Sequence, residues 1–204
     1  MADGEATSRI LQVTASSIPA IKNELPTDSK EAREVSDEAI WSLSSCKAGM
    51  GVDQILDNNT DTYWQSDGPQ PHVVTIQFRR KTMLAYLAIY VDFKADESYT
   101  PSKVSIRVGS HVNDCRELRK MEMQEPVGWQ TIPLQENGRF VRTFMLQAAV
   151  LQNHQNGRDT HIRQMKVFAP TTASNSHLSR GPNLQPDHRL QFNTVDMNQL
   201  AILR

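Results

Sequence analysis

Lys103-Val104-Ser105-Ile106-Arg107-Val108 places apolar and polar side chains on alternate residues, the period of a β-strand with one face in the core and the other in water. Val74, Ile76 and Phe78 alternate in the same way with Thr75 and Gln77. Leu84 to Val91 and Phe144 to Leu151 are apolar at nearly every position, as a strand covered on both faces would be, although periodicity alone leaves a buried helix open there. The β-branched and aromatic content of the first run favours strand. Ala39 to Leu43, Gly128 to Leu134 and Ile162 to Phe168 add three shorter candidates. Turn signals separate these runs at Gly49, Gly51, Asp67-Gly68-Pro69, Gly109, Asn137-Gly138 and Asn156-Gly157. About six to eight short strands, with almost no long amphipathic helix, predict an all-β sandwich or jelly roll whose connectivity stays open.

Around this strand-rich middle the composition changes. Of thirteen aromatic residues, twelve lie between Val35 and Pro170, and the remaining one is Phe192. Residues 35–170 are long enough to bury a core of their own. Residues 1–34 and 171–204 read as mostly disordered arms. Two local features interrupt that reading: Asp28-Ser29-Lys30-Glu31 has the form of a capping box opening a short N-terminal helix toward Ala39, and Met197, Leu200 and Ala201 have a weak helical spacing. The 204 residues carry 22 Lys+Arg against 23 Asp+Glu, so the broad basic footprint of a nucleic-acid binder is missing. No apolar run approaches the roughly 20 residues of a membrane span, and no secretory signal pattern opens the chain. A nuclear and cytoplasmic location is therefore expected, with Cys46 and Cys115 as reduced thiols.

Four stretches could carry function. Asp57, Asn59 and Asp61 match the first, third and fifth positions of a calcium loop, but Thr62 replaces the turn glycine and Gly68 the final bidentate Glu. A structural loop with Asx side chains on backbone amides is the expected reading. His154-Gln155-Asn156-Gly157-Arg158-Asp159-Thr160-His161 gathers polar residues around one glycine. His154, Asp159 and His161 could form a metal or acid–base cluster, but a donor-rich loop on a β scaffold is more often a recognition surface. Asp96-Glu97-Ser98-Tyr99-Thr100-Pro101-Ser102 is either a plain connection or a second recognition loop with a Tyr stacking face. Leu200-Ala201-Ile202-Leu203-Arg204 ends the sequence in an aliphatic cluster and an Arg, which reads as a docking peptide. Catalytic Gly-x-Ser-x-Gly, P-loop, HExxH and zinc-finger spacings are absent from the sequence.

Trp41-Ser42-Leu43-Ser44-Ser45-Cys46-Lys47, Asp61-Thr62-Tyr63-Trp64-Gln65-Ser66-Asp67-Gly68, Gln70-Pro71-His72, Asp96 to Lys103 and Asn153 to Gln164 occur in this order. Together they resemble the DOC domain family, that of subunit 10 of the anaphase-promoting complex (cyclosome), over about residues 35–170. The resemblance implies a galactose-binding-like β jelly roll without catalysis, cofactor or metal. It implies a part in a ubiquitin ligase of cell-division control, where the domain and a WD40 activator protein jointly receive destruction-box substrates such as cyclins and make ubiquitination processive. By the same resemblance the degron-binding residues are Ser98, Tyr99, Asn156, Arg158, Asp159 and His161, with Asp67 and His72 beside them. The family's Ile-Arg tail docks in a tetratricopeptide-repeat subunit; here the pair is Leu203-Arg204, a volume-conserving change. A carbohydrate-binding module is the alternative reading of the same sandwich, and a hydrolase using His154, Asp159 and His161 a third.

Overall fold

The computed structural model describes Leu25 and residues 32–171. Twelve strands and two single-turn helices are present among them, in the order β1 (Ala32–Glu34), β2 (Ala39–Leu43), α1 (Val52–Leu56), β3 (Trp64–Gln65), β4 (His72–Leu84), β5 (Tyr86–Asp92), α2 (Phe93–Asp96), β6 (Pro101–Gly109), β7 (Arg116–Glu122), β8 (Val127–Pro133), β9 (Gln135–Glu136), β10 (Arg139–Asn153), β11 (His161–Ile162) and β12 (Gln164–Pro170). All pairings are antiparallel. One sheet has the order β1-β12-β5-β8, the other β2-β4-β10-β6-β7 with β9 on β10, and β3 pairs β11 in a small third ribbon.

The sandwich core follows from the alternation. Val74, Ile76 and Phe78 of β4, Leu146, Ala148 and Val150 of β10 and Val104, Ile106 and Val108 of β6 face Leu87, Ile89 and Val91 of β5, Ile132 of β8 and Val167 of β12. Phe144 to Leu151 lies within β10, where Met145 to Val150 are buried on both faces. The Asn137-Gly138 signal is a two-residue hairpin turn between β9 and β10, with φ of 50° and 74°, the left-handed pair that such a turn requires.

Toward the N-terminus the expected short helix is replaced. Residues 28–31 lie outside the described ones, but Ala32–Glu34 is an edge strand on β12 and Ser36–Glu38 a single 3-10 turn before β2. Pairing with Phe168 to Pro170 satisfies backbone groups that a helix would have satisfied internally. The sheet thus begins three residues before Val35, and Leu25 packs with Ala32, Ala88, Phe168, Tyr86 and Trp129 on the outer face of the four-stranded sheet. The Met197 to Ala201 spacing and the Leu203-Arg204 end lie outside the described residues.

Candidate functional site

Both sheets deliver loops to one end of the sandwich. After β5, the Asp92 carboxylate accepts hydrogen bonds from the Lys94 and Ala95 amides at 3.0 and 3.3 Å and so caps α2. The chain then makes a 3-10 turn over Glu97–Tyr99 before entering β6. After β10, His154–Asn156 forms a second 3-10 turn in which Gln155 and Asn156 have φ of 50° and 57°. The two turns close on each other. The His154 amide donates to the Thr100 carbonyl at 2.9 Å, and a Cβ on Gly157 would overlap the Ser98 carbonyl oxygen, so glycine is required there for close approach.

A buried polar layer holds the second loop from beneath. Asn153 donates Nδ2–H bonds to the carbonyls of Gly157 and Asp159 at 3.2 and 2.7 Å. The Thr160 amide donates to Ser66 Oγ at 2.8 Å. His72, fully buried, places Nε2 2.7 Å from the Arg158 carbonyl. A carbonyl only accepts, so Nε2 is the donor of this pair, and Nδ1 has no partner among the described residues. The His72 expectation is therefore corrected: its ring has no surface to offer a ligand and works by fixing the Arg158 backbone.

His161 is 7% exposed and stacks between Tyr63 and Tyr99, with ring centroids 4.2 Å away on both sides. Its Nδ1 lies 3.1 Å from Asp96 Oδ1. Arg163 grips the same carboxylate, Nε to Oδ2 and Nη2 to Oδ1 both at 2.9 Å, and its Nη1 donates to the Thr60 carbonyl. Burial pushes the Asp96 carboxyl up, but the hydrogen bonds from His161 and Arg163 and the Arg163 charge outweigh it and hold the group below the ordinary aspartate range. Hydrogen bonding to Asp96 raises Arg163 in turn. His161 thus lies almost wholly buried behind Tyr99, which is 39% exposed.

The predicted residues separate accordingly. Tyr99, Asn156 and Arg158 are exposed on the closed loops, and Ser98 and Asp159 are half-buried among them. Arg158 Nε lies 3.8 Å from Asp159 Oδ1. Asp67 is exposed next to Ser66, its amide donating to Ser45 Oγ at 3.2 Å. His154 sets its ring edge-on to Phe93, 4.8 Å between centroids, so His154, Asp159 and His161 take separate partners instead of converging. Among the described residues no group of three His, Cys, Asp or Glu side chains is placed to hold a metal. In the calcium-like stretch, Asp57 accepts from the Asn59 amide, Thr62 Oγ1 and Gln164 Nε2 at 2.8, 2.6 and 2.6 Å, and Asn59 Oδ1 accepts from the Asp61 amide at 3.0 Å. The Asp57 and Asn59 side-chain oxygens are thus occupied by donors of the loop and by Gln164 of β12.

Tyr63, Asp96, Gly157 and Arg163 escaped the sequence-based site set. Asp96 and Gly157 do fall within the two polar loops read as recognition candidates, and Arg163 follows His161 by two residues, which in an extended chain puts both on one face.

Solved structures similar to this chain include the family 32 carbohydrate-binding module from C. perfringens NanJ in complex with galactose, with a TM-score of 0.57 and 13% identity over 68% of this chain and 98% of that one. The CpGH89CBM32-5 module from Clostridium perfringens, in complex with GalNAc-beta-1,3-galactose, has a TM-score of 0.57 and 12% identity over 67% of this chain and 100% of that one. At such identity the likeness is one of fold, and it defines the class: a galactose-binding-like β-sandwich, here with a closed polar loop surface at one end.

The family described as "Anaphase-promoting complex, subunit 10 (APC10)" matches residues 13–194. Anaphase-promoting complex subunit 10 of Homo sapiens is 59% identical over 143 residues, covering 70% of this chain and 77% of the relative. That of Drosophila melanogaster is 50% identical over 173 residues, 84% and 85% of the two chains. This chain belongs to the anaphase-promoting complex subunit 10 family.

Proposed function

We propose that this chain is a non-catalytic substrate-recognition subunit of the anaphase-promoting complex ubiquitin ligase, in nucleus and cytoplasm. Its loops hold a destruction-box peptide together with a WD40 activator, and Leu203-Arg204 docks in a tetratricopeptide-repeat groove of the complex. One observation carries the loop reading: two turns are locked together at Ser98 and Gly157 and leave the Tyr99 face, the Asn156 amide and the Arg158 guanidinium exposed side by side on a rigid base. Tyr99 offers apolar area to a peptide side chain, and the other two offer hydrogen bonds to its backbone and polar groups. Rigidity matters because a preformed surface loses less entropy on binding.

Replacing Tyr99 and Arg158 by Ala and Asn156 by Gly together tests this reading: glycine keeps the left-handed backbone at residue 156, Arg158 is an exposed side chain, and loss of the Tyr99 stack on His161 is expected to cost about 0.5–1.5 kcal/mol. The variant is expected to enter the complex normally and to add shorter ubiquitin chains per substrate encounter. Destruction-box substrates modified at wild-type processivity would refute the loop assignment. Removing Leu203-Arg204 is expected to do the reverse, weakening incorporation without lowering degron affinity; unchanged incorporation would refute the tail assignment.

A further inference from the structure

β4 alternates buried and exposed residues as far as Phe78 and then exposes three in succession, Arg79, Arg80 and Lys81. Its pairing with β10 explains the break. Gln77 is opposite Met145 and Thr82 opposite Thr143, so four residues of β4 span the gap that Phe144 alone spans on β10. The surplus chain bulges outward and turns the cations to solvent; bulges commonly re-aim side chains in this way. Beside it lies an open hollow of about 460 Å³, lined by Arg33, Arg80, Lys81, Arg142, Glu38 and the Pro170 end of β12, among others.

Charge is unevenly compensated. On β6 and β7, Lys103, Arg116 and Lys120 are each within 3.4 Å of a carboxylate of Glu122, Glu136 or Glu117. At the hollow, Glu38 is the one acid on the lining; it pairs with Arg33 at 2.6 Å and lies 4.0 Å from Arg80. Arg79, Lys81 and Arg142 have no carboxylate partner among the described residues. Arg142 Nε instead donates to the Lys81 carbonyl at 3.4 Å, which holds two of the cations together. In a chain of net charge −1, this excess is a local feature.

Position gives it a use. Arg80 is eight residues along β4 from His72, roughly 25 Å at the rise of an extended strand, so the hollow is at the end of the sandwich away from the recognition loops. Pro170, the last residue of β12, is part of its lining. We propose that Arg79, Arg80, Lys81 and Arg142 form a docking ledge for an acidic segment of a neighbouring subunit, which grips the sandwich from behind and leaves the loop end open. Arg79, Lys81 and Arg142 have no carboxylate among the described residues to compete with such a segment, Arg80 has only the 4.0 Å approach of Glu38, and Arg forks match carboxylates in pairs.

The test uses the full chain and an anaphase-promoting complex lacking this subunit, at about 50 and 300 mM salt. Arg80→Glu, Lys81→Glu and Arg142→Glu are combined, in the intact chain and in one without residues 203–204, so that tail docking does not mask the ledge. With thermal unfolding unchanged, the triple variant is expected to incorporate at least about tenfold more weakly at low salt and with a flatter salt dependence. Arg80→Lys with Arg142→Lys is expected to retain most of the binding. Wild-type incorporation and salt dependence in the triple variant would overturn the proposal. So would a short DNA duplex that binds through these residues while incorporation stays intact.

Discussion

Replacing Asp96 by Asn is expected to cost about 3 kcal/mol or more of stability, because removal of one partner strands the other charge in a buried site. The side chains of Asp96, His161 and Arg163 are only 5%, 9% and 12% exposed. Asn keeps the shape but not the charge: its single amide oxygen can accept only one of the two Arg163 bonds, its NH2 opposes the other donor, and the guanidinium charge is left with the Thr60 carbonyl but no anion. Urea unfolding should show the midpoint fall at constant slope. The sign of the pH dependence follows from the depressed Asp96 carboxyl. Its contribution is fully present above the unfolded aspartate range and is lost as pH falls through the lower folded value. The gap between wild type and variant should therefore narrow in acid. A variant within 1 kcal/mol of wild type at neutral pH, or a gap that widens in acid, would show that the ion pair does not hold the loops.

That ion pair also marks where sequence reading stopped. Strands β4, β5, β6, β8, β10 and β12 were legible because burial of one or both faces writes apolar residues at a period of two or in unbroken runs. Arg116–Glu122 was not: as the edge strand β7 it buries only Met121, and its pairing with β6 shifts register beyond Ile106. Ala32–Glu34 is three residues long and gains its strand character from β12. The loops at 97–100 and 154–161 were legible as polar interruptions with an Asn-Gly turn. Their internal roles were not, since Asp96 meets His161 and Arg163 across more than sixty residues of sequence. The resemblance implies ligand contacts at His72 and His161, and the local sequence carries no sign of which way either ring faces. The fold turned both inward, one beneath the Arg158 backbone and one between two tyrosines.

Gly157→Ala should separate loop geometry from loop composition. Gly157 has φ −57° and ψ 137°, a conformation open to any residue. If backbone freedom were all that mattered, Ala would stabilise the fold by about 0.4–1 kcal/mol through the unfolded chain. Instead the added methyl would meet the Ser98 carbonyl group, whose carbon would be 2.7 Å away. Main-chain atoms cannot swing aside as a side-chain tip can, so one turn must move from the other, at a cost of about 1–3 kcal/mol. Moving Ser98 also disturbs Tyr99 on its His161 stack, and the bond from the His154 amide to the Thr100 carbonyl lies in the same contact. On the proposed loop function, destruction-box peptide affinity should therefore fall by about tenfold or more, the loss for a displacement worth roughly 1.4 kcal/mol, although every proposed contact residue is still present. Calorimetric unfolding and peptide titration read the two effects separately. An Ala variant that is more stable than wild type and binds peptide equally well would mean that the loops are not locked at this point, and that Tyr99, Asn156 and Arg158 owe nothing to their closure.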